Sequence, residues 1–254
     1  MQNHKFIFIG GLHRSGKTLL YKHLKEHPLI SAFKGIGDDQ DEGQHLQSVY
    51  LPAKFFGGPG RFGFKSGAHM SENSPLVSEE NRIKLFSDWE KYWETEKPFL
   101  LEQSPPNLIR TRFLQKMFPN SYFIIIMRHP VAVTYTTRKI MGSRATMYSL
   151  IKHWLICHEI FNTDKSFLKN LLVLKYENFV KDPHLCLERV YGFLGIENHL
   201  CSLGIHSDIN LEYFNKWIKN QKNIFTNFYI DLIRTKYEKR INAFNYSLRD
   251  LEMT

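Results

Sequence analysis

The sequence predicts an α/β fold of the P-loop type. It reads as a single domain over residues 1–254: a parallel sheet flanked by helices, with a mainly helical C-terminal third. Three observations carry this. Short apolar runs alternate with helix-period segments, which implies parallel strands covered on both faces. One run leads straight into a glycine-rich loop, FIGGLHRSGKTLL, at residues 8–20. The chain has 254 residues, 43% of them hydrophobic and 14% aromatic, enough to fill one large core.

The elements follow in order. Residues 5–9 (KFIFI) form a short buried strand that ends at the loop. From Lys17 the pattern turns helical, with Leu20 and Leu24 on one face, and His27-Pro28 stops it. Residues 34–70 carry Gly, Asp and Gln without a period. They read as long loops with one short helix near 44–49, and loops this long inside a compact domain usually serve function. Residues 78–93 read as a helix with an exposed charged face.

FLLE at 99–102 is a second strand. Pro105-Pro106-Asn107 opens a helix whose Ile109, Phe113 and Met117 share one stripe. YFIIIM at 122–127 is the strongest strand, followed by helices from about Val131 and over 148–161. Residues 171–174 form a fourth strand. Asp182 caps the next helix, Pro183 is its first residue and Gly195 closes it. Residues 211–244 are mainly helical.

Composition bounds the partners. The net charge of +9 favours anionic ones. No run of five basic residues occurs, so charge does not single out nucleic acid, and none is expected. Cys157, Cys186 and Cys201 form no CxxC pair, which predicts reduced, buried thiols and no metal centre. The apolar run near the N-terminus is too short for a signal peptide or a membrane span, so a soluble cytoplasmic protein is expected.

The loop string is Gly11-x-x-x-x-Gly16-Lys17-Thr18. Backbone N–H groups and the following helix N-terminus would cradle a phosphate, with Lys17 adding charge and Thr18 a hydroxyl. A Mg-ATP kinase of a small molecule or nucleotide would need an acid at another strand end, and only Glu102 offers one. YFIIIM instead ends in Arg128, which would face the same crevice and clamp a second phosphate bidentately. Thr136, two helical turns on, adds a hydroxyl. A donor with two separated phosphates, such as 3′-phosphoadenosine-5′-phosphosulfate, fits this pattern better.

At these residues the chain resembles the sulfotransferase superfamily, most of all tyrosylprotein sulfotransferases and their bacterial relatives. FIGGLHRSGKTLL resembles the 5′-phosphosulfate loop and FPNSYFIIIMRHPVAVTYTTRK the 3′-phosphate element. LKYENFVKDPHLCLERVYGFLGI resembles the Tyr-Glu segment with its following helix, and NLEYFNKW a segment that closes over the cofactor. The resemblance implies that Arg14, Ser15, Gly16, Lys17 and Thr18 hold the 5′-phosphosulfate. It places Arg128 and Thr136 on the 3′-phosphate, Tyr176 near the adenine and Lys216 near the phosphates. Lys17 stands where relatives carry Thr, Thr136 where they carry Ser, and Gln103 where they often carry Lys.

The implied reaction is in-line sulfuryl transfer to a hydroxyl, leaving 3′,5′-adenosine bisphosphate and needing no divalent metal. The acceptor would be a carbohydrate, lipid, metabolite or peptide. Arg14 and Lys17 would neutralise charge around the transferring group. The base would come from the loop after the first helix, where Asp38, Asp39, Asp41, Glu42 and His45 lie. Glu42 is the first candidate and His45 the second. GGPGRF at 57–62 is either an acceptor-binding lid or a disordered loop.

Overall fold

A computed structural model describes residues 3–34, 41–142, 145–199 and 209–253. Five strands form one parallel sheet in the order β2-β3-β1-β4-β5. They are β1 (Lys5–Gly10), β2 (Ile30–Ala32), β3 (Phe99–Gln103), β4 (Ser121–Met127) and β5 (Leu171–Lys175). β1 lies at the centre between β3 and β4, and its side chains alternate as a pleated strand must. Phe6 and Phe8 enter one core with Trp89, Phe118 and Phe123; Ile7 and Ile9 enter another with Leu20, Leu24 and Val190. A third core joins Ile125 and Met127 to Trp154, Trp217 and Ile233. With both faces covered, most strand residues are apolar, the polar ones standing mainly at strand ends, and burying each large apolar side chain is worth roughly 1.5–3 kcal/mol.

The helices are α1 (Lys17–Leu24), α2 (Glu79–Glu90), α3 (Thr111–Met117), α4 (Pro130–Met141), α5 (Met147–Asp164), α6 (Tyr176–Lys181), α7 (Pro183–Leu194), α8 (Ile209–Asn220) and α9 (Ile224–Asn242). Ser78 caps α2 through Asn81 N–H, and Asp182 caps α7 through Leu185 N–H, with Pro183 first and Gly195 left-handed at the end.

Several elements differ from the sequence reading. The strand at 171–174 is the fifth, because the three residues of β2 add an edge strand. No α-helix spans 44–49; a 3₁₀ turn at Gly43–His45 stands there, and three more such turns build the segment up to Ala68. The helix expected from Pro105 is split into a 3₁₀ turn, Pro105–Ile109, and α3, with Arg110 at φ −130° between them. Arg110 is buried there and donates to the carbonyls of Ala68 and Leu51, pinning the long segment against the sheet layer. Cys157 and Cys186 are free and buried; Cys201 lies outside the described residues.

Candidate active site

Register brings two distant segments together. Gly10 pairs with Ile125, so the turn after β1 and the end of β4 leave the same edge of the sheet. Arg128 Nη1 then donates to the carbonyl of Arg14 at 2.9 Å, and its Nε donates to Asn210 Oδ1 at 2.9 Å. Its guanidinium lies 4.3 Å from the Tyr176 ring centre. A cleft of about 310 Å³ opens here, lined among others by Arg14, Gly16, Lys17, Glu42, Arg128 and Tyr176.

The turn is locally strained in the way anion-binding loops are. Arg14 adopts φ 68°, a conformation costing a non-glycine residue of order 1 kcal/mol. Gly16 sits at φ 99°, and a Cβ there would meet Tyr176 Cδ2 at 2.3 Å. No other residue fits between the loop and that ring. Ser15 is buried with its Oγ unpartnered among the described residues, and so is Arg128 Nη2. Such orphaned donors cost about 1–3 kcal/mol each unless a ligand satisfies them.

Lys17 is only 4% exposed. Burial pulls its pKa below the usual lysine range, with Glu42 and Glu102 opposing that shift. Its ion-pair partner, Glu42 Oε1, is 3.9 Å away, beyond hydrogen-bond reach. His13, not singled out from the sequence, also lines the cleft; burial and then the charge of Lys17 hold its imidazolium well below the usual histidine range. It lay in plain view inside the loop string.

Glu42 is buried and positioned from several sides. It pairs with Gln103 in an isolated parallel bridge beside the end of β3. Gln44 Nε2 donates to its Oε2 at 2.5 Å, and Gln44 N–H donates to Ser104 Oγ at 3.0 Å. Trp89 Nε1 donates to the Gly43 carbonyl at 2.9 Å. His45 Nε2 lies 3.8 Å from Glu42 Oε2, on the more exposed side and outside the cleft lining. Asp41 flanks this turn; Asp38 and Asp39 lie outside the described residues.

Other expected residues sit differently. Thr136 is buried, but its hydroxyl donates to the Ala132 carbonyl one turn back at 2.7 Å. Lys216 is exposed, bonds Glu212 within α8 and does not line the cleft. Thr18 lines it. Glu102, the acid a kinase reading needs, is fully buried below. It accepts from Ser104 Oγ at 2.6 Å and from Asn107 Nδ2, and burial first of all pushes its pKa up to about 7. Among the described residues no cluster of three or more His, Cys, Asp or Glu is arranged for a metal ion.

Asn210 and Glu177 complete the Arg128 side. Asn210 Nδ2 donates to Glu177 Oε1 at 2.7 Å, His129 N–H donates to the same oxygen, and the Tyr246 hydroxyl donates to Oε2. Glu177 was visible as the second residue of the Tyr-Glu pair; Asn210 is the first residue of NLEYFNKW, the segment expected to close over the cofactor, from which only Lys216 had been singled out.

Residues 7–199 match the profile described as "Sulfotransferase family". The chain belongs to the sulfotransferase family. As a sulfotransferase it is an enzyme, and its fold agrees with solved members. The sulfotransferase domain from the curacin biosynthetic pathway superposes with a TM-score of 0.52 at 18% identity, covering 85% of this chain and 90% of that one. The sulfotransferase domain of the Synechococcus PCC 7002 olefin synthase gives 0.50 at 20% identity, covering 78% and 75%. Sulfotransferase STF9 from Mycobacterium avium gives 0.52 at 12% identity, covering 99% and 78%. No curated protein matches this sulfotransferase significantly by sequence. No helix among the described residues is long and apolar enough to cross a membrane.

Proposed function

We propose that this sulfotransferase takes its sulfuryl group from 3′-phosphoadenosine-5′-phosphosulfate and delivers it to an acceptor hydroxyl. One observation carries the reading: the Arg128 guanidinium bonds the Arg14 carbonyl, so the loop and the end of β4 make one cationic cleft, and Nη2 is left without a partner among the described residues. The residues fit such a donor. The N-terminus of α1, Lys17 and Thr18 would hold the 5′-phosphosulfate, while Arg128 would bind the 3′-phosphate bidentately. Ser15 Oγ and Arg128 Nη2 supply donors that no other group among the described residues uses.

Each residue has a separate task. Arg14 and Lys17 would stabilise charge that builds on the leaving phosphate and the sulfuryl oxygens. Glu42 would take the proton of the acceptor hydroxyl as its oxygen bonds to sulfur and the sulfur–phosphate oxygen bond breaks. The electron pair of that bond leaves with the 5′-phosphate of 3′,5′-adenosine bisphosphate. Glu42 is preferred over His45 because it is buried in the cleft beside Lys17, whereas His45 stands on its more exposed side, outside the cleft lining. His45 and Gln44 would orient the Glu42 carboxylate. Tyr176 would form the wall against which the donor lies, and Thr136 would act through the first two turns of α4. Lys216 would act at a distance, through the position of α8.

The test is ligand-induced thermal stabilisation. 3′,5′-Adenosine bisphosphate at 100 times its Kd should stabilise the fold by about 2.7 kcal/mol without added metal. Stabilisation by ATP that requires Mg²⁺, with none from the bisphosphate, would replace this reading with phosphoryl transfer.

A further inference from the structure

The corner between α8 and α9 contributes no residue to the cleft lining, yet it is built firmly. The Asn223 side chain accepts from the N–H groups of Phe225 and Thr226. Thr226 Oγ1 donates to the Asn220 carbonyl, and Asn220 Nδ2 donates to the Tyr135 hydroxyl at 2.9 Å. The inward faces are packed: Trp217, Ile230 and Ile233 are buried. The outward face is apolar and bare. Ile224 is 78% exposed, Phe225 83% and Phe228 76%. Lys219 and Lys222 flank them, exposed and, among the described residues, without an ion pair.

Exposed apolar side chains scattered singly need no explanation, but three large ones on one rigid corner do. Two partners compete for them. A second copy would need roughly 800 Å² per subunit. The three side chains offer on the order of 500 Å². In a two-fold contact both copies' Lys219 and Lys222 would also be crowded into one small interface. A negatively charged lipid surface has neither problem. It accepts a convex wedge of aromatic and aliphatic side chains, and its headgroups match the lysines.

We propose that the α8–α9 corner docks this enzyme on an anionic lipid surface. Ile224, Phe225 and Phe228 enter the boundary between headgroups and acyl chains, and Lys219 and Lys222 meet the headgroups. α8 starts at the cleft, where Asn210 holds Arg128, and ends at the corner. A docked surface therefore lies about one helix length, ~16 Å, from the donor site.

Co-sedimentation of the full chain with vesicles tests this. Vesicles of phosphatidylcholine with phosphatidylglycerol should retain the protein, and pure phosphatidylcholine should retain it far less. The double variant Phe225→Ser/Phe228→Ser should lower retention about tenfold, and Lys219→Ala/Lys222→Ala should lower it several-fold and remove most of its salt dependence. Both variants should keep their stabilisation by 3′,5′-adenosine bisphosphate, which reports folding. Three outcomes overturn the proposal: no vesicle binding, vesicle binding that ignores the phenylalanines, or concentration-dependent dimerisation lost in Phe225→Ser/Phe228→Ser without any vesicle binding.

Discussion

The turn after β1 and the segment that carries Glu42 line the same cleft, but they are held by different means. The turn is held by backbone: β1 pairs with β3 and β4 over its length, and Arg128 bonds a main-chain carbonyl. The Glu42 segment has a single backbone bridge, from Glu42 to Gln103, and is otherwise held by side chains. Gln44 bonds Glu42 and the Ala53 N–H, Trp89 bonds the Gly43 carbonyl, and Ser104 receives the Gln44 N–H. A backbone-held site tolerates changes in its neighbours, because the register does not depend on any one side chain. A site held by side chains can be retuned, or lost, by single substitutions. The half proposed to bind the donor is thus fixed by the sheet, and the half proposed to face the acceptor is free to vary.

That contrast can be broken at either half. The largest expected effect is Glu42→Gln, which keeps the shape and removes the proposed base. Transfer should fall about 10³-fold while affinity for 3′,5′-adenosine bisphosphate stays within twofold, measured by steady-state kinetics and calorimetry. A rate that survives would move the base to His45. Next is Arg128→Ala. Bisphosphate affinity should drop about 100-fold, since charge-assisted bonds to one phosphate are lost; unchanged affinity would separate the two anchors.

A smaller effect sharpens the boundary between the halves. Glu102 lies beneath both and titrates at about 7 in the folded chain against an ordinary 4.5. The folded state then binds the proton more tightly than the unfolded state. Its stabilising contribution is full below about pH 4.5 and is lost as pH rises through 7, by on the order of 3 kcal/mol in all. Glu102→Gln should flatten the fall in Tm across that window, and an unchanged slope would assign the proton elsewhere. The smallest effect is Lys216→Ala. Its ammonium is exposed and paired with Glu212, so bisphosphate affinity should change less than twofold. A tenfold loss would mean that α8 moves over the donor.

Much of this architecture was legible in the sequence because the signals are local. KFIFI and YFIIIM announce central strands, and Asp182-Pro183 with Gly195 brackets α7. The loop and Arg128 were found because strand-end residues of a parallel sheet must share an edge. Other features depend on partners far along the chain. β2 is three residues long and exists only by pairing with β3. The 3₁₀ turns after residue 42 are shaped by Trp89 and Arg110, which bond carbonyls 46, 42 and 59 residues away. Asn210 reaches Arg128 across 82 residues, and no periodicity encodes that. The short helix expected near 44–49 failed for the same reason: the side chain of Gln44 was needed elsewhere.

The bond from Arg128 to the Arg14 carbonyl closes a circuit of 114 residues. Local opening of the glycine turn must therefore release the tip of the neighbouring strand as well. Amide protons in the two stretches should exchange with solvent as a single cooperative unit, and a nucleotide bound at either end should slow both together.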